Sequence, residues 1–150
     1  MSGTYTRIVY HAVFSTKRRT PWITPELRDR LHPYMGGVIR NEGGSLIIAG
    51  GMPDHVHLLV KWRADAPFAG LMRTVKSRSS RWVHETFPER SDFAWQDGYS
   101  AFTVSRSQES VVQRYIERQE EHHRVRTFQE EIVEFLRSHG VEYDERYILG

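Results

Sequence analysis

The chain has no cysteine among its 150 residues. That excludes a disulfide framework, a thiolate zinc site and a cysteine nucleophile. It also has no apolar run near the roughly 20 residues needed to span a bilayer. Met1 to Tyr10 lacks the apolar core of a signal peptide, so a cytoplasmic protein is expected. An excess of one charge sign is missing as well: the formal net charge is only +2. Any case for nucleic acid must therefore rest on where the arginines sit, not on their total. What remains is 39% hydrophobic and 27% charged residues. That composition belongs to a globular chain, long enough for one domain spanning 1–150 with its own core.

One local absence is informative. From Pro67 to His84 there is no acidic residue, while Arg73, Lys76, Arg78 and Arg81 are spread along the same stretch. The periodicity of Phe68, Leu71, Met72, Val75, Trp82 and Val83 predicts a helix from Pro67 to Phe87. Its other side is wide and basic, which suits a polyanion, although charged helix faces are commonly just solvated. Lys17-Arg18-Arg19, in a loop ended by Pro21, is either a solvated turn or a second phosphate contact.

The remaining elements follow from pattern. Arg7 to Phe14 alternates with apolar residues on both faces, as a central strand does. Thr24 caps a helix that reaches Asn41, with Pro25 at its first position and Gly43-Gly44 after its end. Ser45 to Gly50 reads as a second strand and Tyr99 to Ser105 as a fourth. Between them, Pro53-Asp54 turns the chain into His55-Val56-His57-Leu58-Leu59-Val60. The order βαββαβ predicts an α+β fold of ferredoxin-like type, with both helices on one face of an antiparallel sheet and the first and third strands central. Two further helices are expected, Glu109 to Arg124 and Thr127 to Ser138, the latter opened by a Thr127/Glu130 capping box.

Side chains two apart on a strand share a face. Val56, Leu58, Val60 and Trp62 therefore face the helices, and His55 and His57 are expected side by side on the open face. Two such imidazoles can grip one divalent metal ion, although solvated or hydrogen-bonded histidines are the commoner outcome. Tyr115 and Gln119 are four apart on a predicted helix, so the phenol and the amide can point into one site. On the helix alone, the commoner outcome is that Tyr115 packs while Gln119 is solvated.

Taken together, His55-Val56-His57 after Met52-Pro53-Asp54, with Tyr115 and Gln119 on a later helix, resembles the HUH single-tyrosine transposases. Further matching stretches are His11-Ala12-Val13-Phe14-Ser15-Thr16-Lys17, Trp95-Gln96-Asp97-Gly98-Tyr99 and the run from Tyr115 to Arg124. The resemblance extends to both branches, the insertion-sequence transposases and the REP-associated tyrosine transposases. It implies an enzyme that cuts and rejoins single-stranded DNA beside a hairpin through a 5′-phosphotyrosine intermediate. By position, Tyr115 would be the nucleophile, and His55, His57 and Gln119 the ligands of Mg²⁺ or Mn²⁺. The basic residues Lys17, Arg18, Arg19, Arg73, Lys76, Arg78 and Arg81 would meet the DNA. The family often pairs the histidines of one subunit with the tyrosine helix of another, so a homodimer is expected. His11, His122 and His123 are candidates for the base that takes the phenolic proton. Two rivals are a non-catalytic single-strand-binding module, which would need neither the histidine pair nor Tyr115, and a metal hydrolase that leaves no covalent adduct.

Overall fold

A computed structural model describes residues 3–124 and 126–148. The first two residues of the Met1 to Tyr10 stretch and the last two of the tail after Val141 lie outside the described residues. The strands are β1 (Ile8–Ser15), β2 (Ser45–Met52), β3 (His55–Trp62) and β4 (Ser100–Thr103). The long helices are α1 (Pro25–Asn41) and α2 (Phe68–Thr86). All strand pairs are antiparallel and the sheet order is β2-β3-β1-β4, so β1 and β3 are central as the pattern requires. β4 is shorter than expected, although Val104 N–H still donates to the Val9 carbonyl just beyond it.

The two faces of the sheet have different jobs. On one, Ala12, Phe14, Val56, Leu58, Val60 and Trp62 pack against Leu27, Leu31, Met35 and Ile39 of α1 and against Leu71, Met72, Val75 and Val83 of α2. Thr24 caps α1 by accepting from Leu27 N–H at 3.4 Å. The irregular stretch after α2 is pinned to this layer. Phe93 and Trp95 are buried in it, Trp95 Nε1 donates to Ser79 Oγ, and Gln96 Oε1 accepts from Ser15 N–H at 2.6 Å.

The other face is not open, which corrects the expectation for His55 and His57. It is covered by α3 (Glu109–Glu117), α4 (Gln119–His122) and α5 (Phe128–Ser138). Phe128, Ile132 and Leu136 of α5 pack on Val13 and Phe102, while Ile116 of α3 packs on Val9 and Leu59. The cause is hydrophobic: β1 is apolar on both sides, and the stripe of α5 has nowhere else to go. Each such side chain contributes roughly 1.5–3 kcal/mol on burial. The Thr127/Glu130 capping box forms as expected.

The predicted helix from Glu109 to Arg124 is interrupted at Arg118, whose φ/ψ of −105°/31° is not helical. Tyr115 thus lies near the end of α3 and Gln119 opens α4. Neither Ser105 nor Ser107 caps α3 with its side chain. α3 approaches β2 closely because Gly50 has no side chain; a Cβ there would lie 2.4 Å from the Ile116 carbonyl oxygen. That contact brings the Tyr115 turn down onto the histidine strand.

Candidate metal and tyrosine site

The site lies between β3 and the C-terminal helices. His55 and His57 are fully buried and their rings are 5.2 Å apart. Each ring is held at its Nδ1 edge. Asp54 Oδ1 accepts from His55 Nδ1 at 2.7 Å, and His57 Nδ1 meets His11 Nε2 at 2.8 Å. β1 pairs with β3 so that Val13 stands opposite His57 and His11 opposite Leu59, which places the buried His11 ring diagonally beside His57. With both Nδ1 atoms engaged, both Nε2 atoms turn into the same space. Orienting a histidine ligand through its second nitrogen is the arrangement metal sites use.

Three more groups enter that space. Gln119 Oε1 is 3.1 Å from His55 Nε2. Glu131 of α5 places Oε1 at 3.1 Å from His57 Nε2, 3.4 Å from His55 Nε2 and 3.2 Å from His123 Nε2. Its Oε2 accepts from the Tyr115 hydroxyl, and from Gln119 Nε2 at 3.3 Å. One chain therefore assembles Tyr115, Gln119, His55 and His57 without help from a second subunit.

Glu131 is the residue that sequence reasoning missed. Its signal was an acid on an apolar stripe: Phe128, Ile132, Phe135 and Leu136 surround it at helical spacing. A fully buried carboxylate needs partners. The structure supplies three imidazoles, an amide and a phenol.

The charges settle accordingly. Burial works against ionising Glu131, but hydrogen bonds from His123, His55 and His57 outweigh it and hold the carboxyl well below its usual range. Burial also opposes a charged His55, yet the Asp54 and Glu131 carboxylates overturn this and raise it to about 9. His57, just as buried and beside a charged neighbour, is lowered to about 4 in spite of Glu131. His11 is lowered to about 3, first by burial and then by His57. Tyr115 is raised by burial and by the adjacent Glu131 carboxylate. At neutral pH His55 is thus an imidazolium held between the Asp54 and Glu131 carboxylates.

These residues fit a divalent cation. Ligand atoms of His55, His57 and Glu131 all lie within 4.8 Å of one another, and the Gln119 amide oxygen adjoins them. The donor set is two imidazole nitrogens with oxygen ligands, which suits Mn²⁺ or Mg²⁺. The extra proton on His55 occupies the electrostatic place of such an ion.

The basic residues divide. Lys17, Arg18 and Arg19 form a tight turn after β1, with Arg18 and Arg19 at φ of 59° and 54°. Arg19 reaches a groove beside the site that is also lined by Asp54, His123, Arg124 and Arg126. Arg73, Arg78 and Arg81 lie on α2, across the sheet from the histidines. Arg73 is exposed, while Arg78 approaches Glu42 at 3.8 Å and Arg81 approaches Glu85 at 3.9 Å. Lys76 is turned to structural use, its ammonium donating to the Gln96 and Gly98 carbonyls at 2.7 Å each. Among the described residues no helix is long and apolar enough to cross a membrane.

A ferredoxin-like sheet that holds a histidine pair against a tyrosine-bearing helix is the architecture of a tyrosine transposase, and comparisons with known proteins agree. Residues 4–119 match the family model described as IS200-like transposase, so the chain belongs to that family. It is similar to the ISDra2 transposase TnpA of Deinococcus radiodurans, with 26% identity over 118 residues, covering 75% of this chain and 84% of that protein. A solved transposase structure from D. radiodurans R1 superposes with a TM-score of 0.67 at 27% identity, covering 79% of this chain and 95% of the other. A REP-associated tyrosine transposase bound to a REP hairpin has a TM-score of 0.54 at 12% identity, covering 79% of this chain and 68% of the other; that likeness concerns the fold. Glu131 and all of α5 lie beyond the residues that the family model matches.

Proposed function

We propose that this transposase cleaves and rejoins single-stranded DNA at hairpin-flanked sites through a 5′-phosphotyrosine link to Tyr115. The observation that carries the reading is the convergence of the Tyr115 hydroxyl, His55 Nε2, His57 Nε2 and the Gln119 amide oxygen around one buried carboxylate, Glu131. A packing tyrosine and solvated histidines would not meet in this way.

His55, His57, Gln119 and Glu131 would hold the metal ion. Bound there, Mg²⁺ or Mn²⁺ would act as a Lewis acid for the oxygens of the transferred phosphate. Glu131 fixes the direction of the Tyr115 O–H and is the acceptor nearest its proton. In cleavage, Tyr115 Oη bonds to phosphorus, the P–O3′ bond breaks, and the phenolic proton ends on the departing 3′ oxygen, leaving a free 3′-OH. Rejoining reverses these bonds with another 3′-OH, and no high-energy cofactor is consumed. Glu131, not the histidines weighed from sequence, is the base best placed for Tyr115. His123 and His11 instead hold Glu131 and His57.

The DNA would be met by Lys17, Arg18 and Arg19 near the site and by Arg73, Arg78 and Arg81 across the sheet, with Lys76 holding the loop before β4. One chain brings these side chains together, which supports a site that works within a single subunit rather than across the expected homodimer. Digestion and mass spectrometry after incubation with hairpin-bearing single strands and Mn²⁺ test the reading. The expected product is a nucleotide joined through its 5′-phosphate to the peptide containing Tyr115. Cleaved DNA with no such peptide would favour the metal-hydrolase reading, and binding with neither product would favour the binding-module reading.

A further inference from the structure

Beside the Tyr115 ring lies a cavity of about 340 Å³ that opens onto the reacting groups, since Tyr115, Glu131 and His11 line it, and whose remaining walls have no part in the chemistry above. We propose that it receives the nucleobase of the nucleotide that becomes linked to Tyr115, so that the protein itself selects the base on the 3′ side of the scissile phosphate. The proposal rests on the phosphotyrosine reading and names the part of the substrate that the site would grip.

The walls suit a flat heteroaromatic ring. They include His11, Val111, Val112, Tyr115, His122 and Phe135. Tyr115 and His122 are stacked, with centroids 4.3 Å apart at 27°. Phe135 stands edge-on to Tyr115 at 5.4 Å and to His11 at 5.1 Å. Aromatic and aliphatic walls with a few polar atoms are what base-binding pockets present. The volume falls at the lower end of the roughly 300–1,000 Å³ typical of small-ligand sites.

His122 supplies the unmet polar atom. Its Nε2 is buried and has no hydrogen-bond partner among the described residues. Buried ring nitrogens are normally paired. A base edge carries both donors and acceptors and could satisfy either tautomer. Two carboxylates line the cavity, and both are engaged: Arg126 pairs with Glu134, and Glu131 is held by His55, His57 and His123.

Reaction geometry chooses the nucleotide. The attacking oxygen and the leaving oxygen stand in line on opposite sides of phosphorus. The 3′ oxygen and its strand therefore depart on the side away from Tyr115. The nucleoside attached through O5′ stays beside the phenol, and its base is the one within reach of a cavity that Tyr115 walls.

The test first maps the adduct junction on a cleaved hairpin strand. The nucleotide at the 5′ end of the tyrosine-linked fragment is then varied through dA, dC, dG, dT and an abasic residue, and single-turnover adduct formation is timed. Loss of one stacked base should slow the abasic strand about tenfold, and the four bases should differ among themselves. Val111→Trp, placed at an exposed position of the wall, should fill the cavity and slow the strands bearing a base, leaving the abasic strand at its wild-type rate. Five strands reacting within twofold of one another, or a Val111→Trp chain that slows all five equally, would overturn the inference and leave the phosphotyrosine reading standing. No adduct on any strand would overturn both.

Discussion

Metal uptake should expel a proton, and the structure says which one. Without metal, the Asp54 and Glu131 carboxylates keep His55 protonated up to about pH 9. A cation at the same place needs the Nε2 lone pair of His55, so the proton must leave. His57, lowered to about 4, carries no proton to lose at neutral pH. With a His55 value near 9, binding at pH 7 should release close to one proton, falling to about a tenth of one at pH 10. Affinity should rise about tenfold per pH unit below that value, hence about 100-fold between pH 6.5 and 8.5, and then level off. The same proton marks stability. A histidine whose folded value lies above the unfolded 6.5 stabilises fully below 6.5 and loses that contribution as pH rises through about 9. The metal-free protein should therefore lose on the order of 3 kcal/mol across that window. Calorimetric titration with Mn²⁺ in two buffers of different ionisation enthalpy measures the proton count directly. A count near zero at pH 7, with affinity flat from pH 6.5 to 8.5, would refute the charge assignment. Glu131→Gln removes one of the two carboxylates, so its release at pH 7 should be smaller than in the wild type.

Three further outcomes follow from named contacts. His11→Leu should weaken Mn²⁺ binding roughly 10–100-fold, the usual cost of losing a partner that orients a ligand, whereas His11→Gln, whose amide can donate to or accept from His57 Nδ1, should retain most of the affinity in the same titration. Replacing Lys17, Arg18 and Arg19 with serine should make single-strand binding less salt-dependent, by up to about 2 in the slope of log K against log salt at roughly 0.7 per phosphate contact; an unchanged slope would mean that the turn is merely solvated. Mixing His55→Ala chains with Tyr115→Phe chains should not restore cleavage, because one chain holds the whole constellation, and restoration would show sites shared between subunits.

Much of this was legible in the sequence, and the reasons differ by element. The period of two in His55-Val56-His57-Leu58 separated the face that packs on α1 and α2 from the face that bears the histidines, and the strand order placed that strand centrally. Thr24-Pro25 and Thr127/Glu130 carry their signals within four residues, so those helix starts were readable. The burial of His55 and His57 was not, because it depends on α5 folding back over the sheet, a long-range event with no local signature. Both faces of β1 being apolar was the available hint. Glu131 escaped because an acid in an apolar stripe reads as an interruption until its partners, 74 and 16 residues away in sequence at His57 and Tyr115, are brought to it. The break at Arg118 leaves no trace in a sequence that is helical in pattern throughout. The hydrogen bonds of Lys76 to the Gln96 and Gly98 carbonyls were not legible either, because they depend on the course of a loop some 20 residues away.

The measurement that bears most directly on the account is DNA cleavage by Tyr115→Phe. The substitution removes one hydroxyl and keeps the ring that stacks on His122 and meets Phe135, so packing changes little. Strand binding should rest on phosphate and base contacts that do not need the hydroxyl. Labelled hairpin-bearing single strands with Mn²⁺, run on a denaturing gel, should give a protein-shifted band with the wild type and none with Tyr115→Phe, while both proteins bind the strand with similar affinity. A Tyr115→Phe protein that cuts at the wild-type rate would contradict the account and reduce Tyr115 to a packing residue over a hydrolytic metal site.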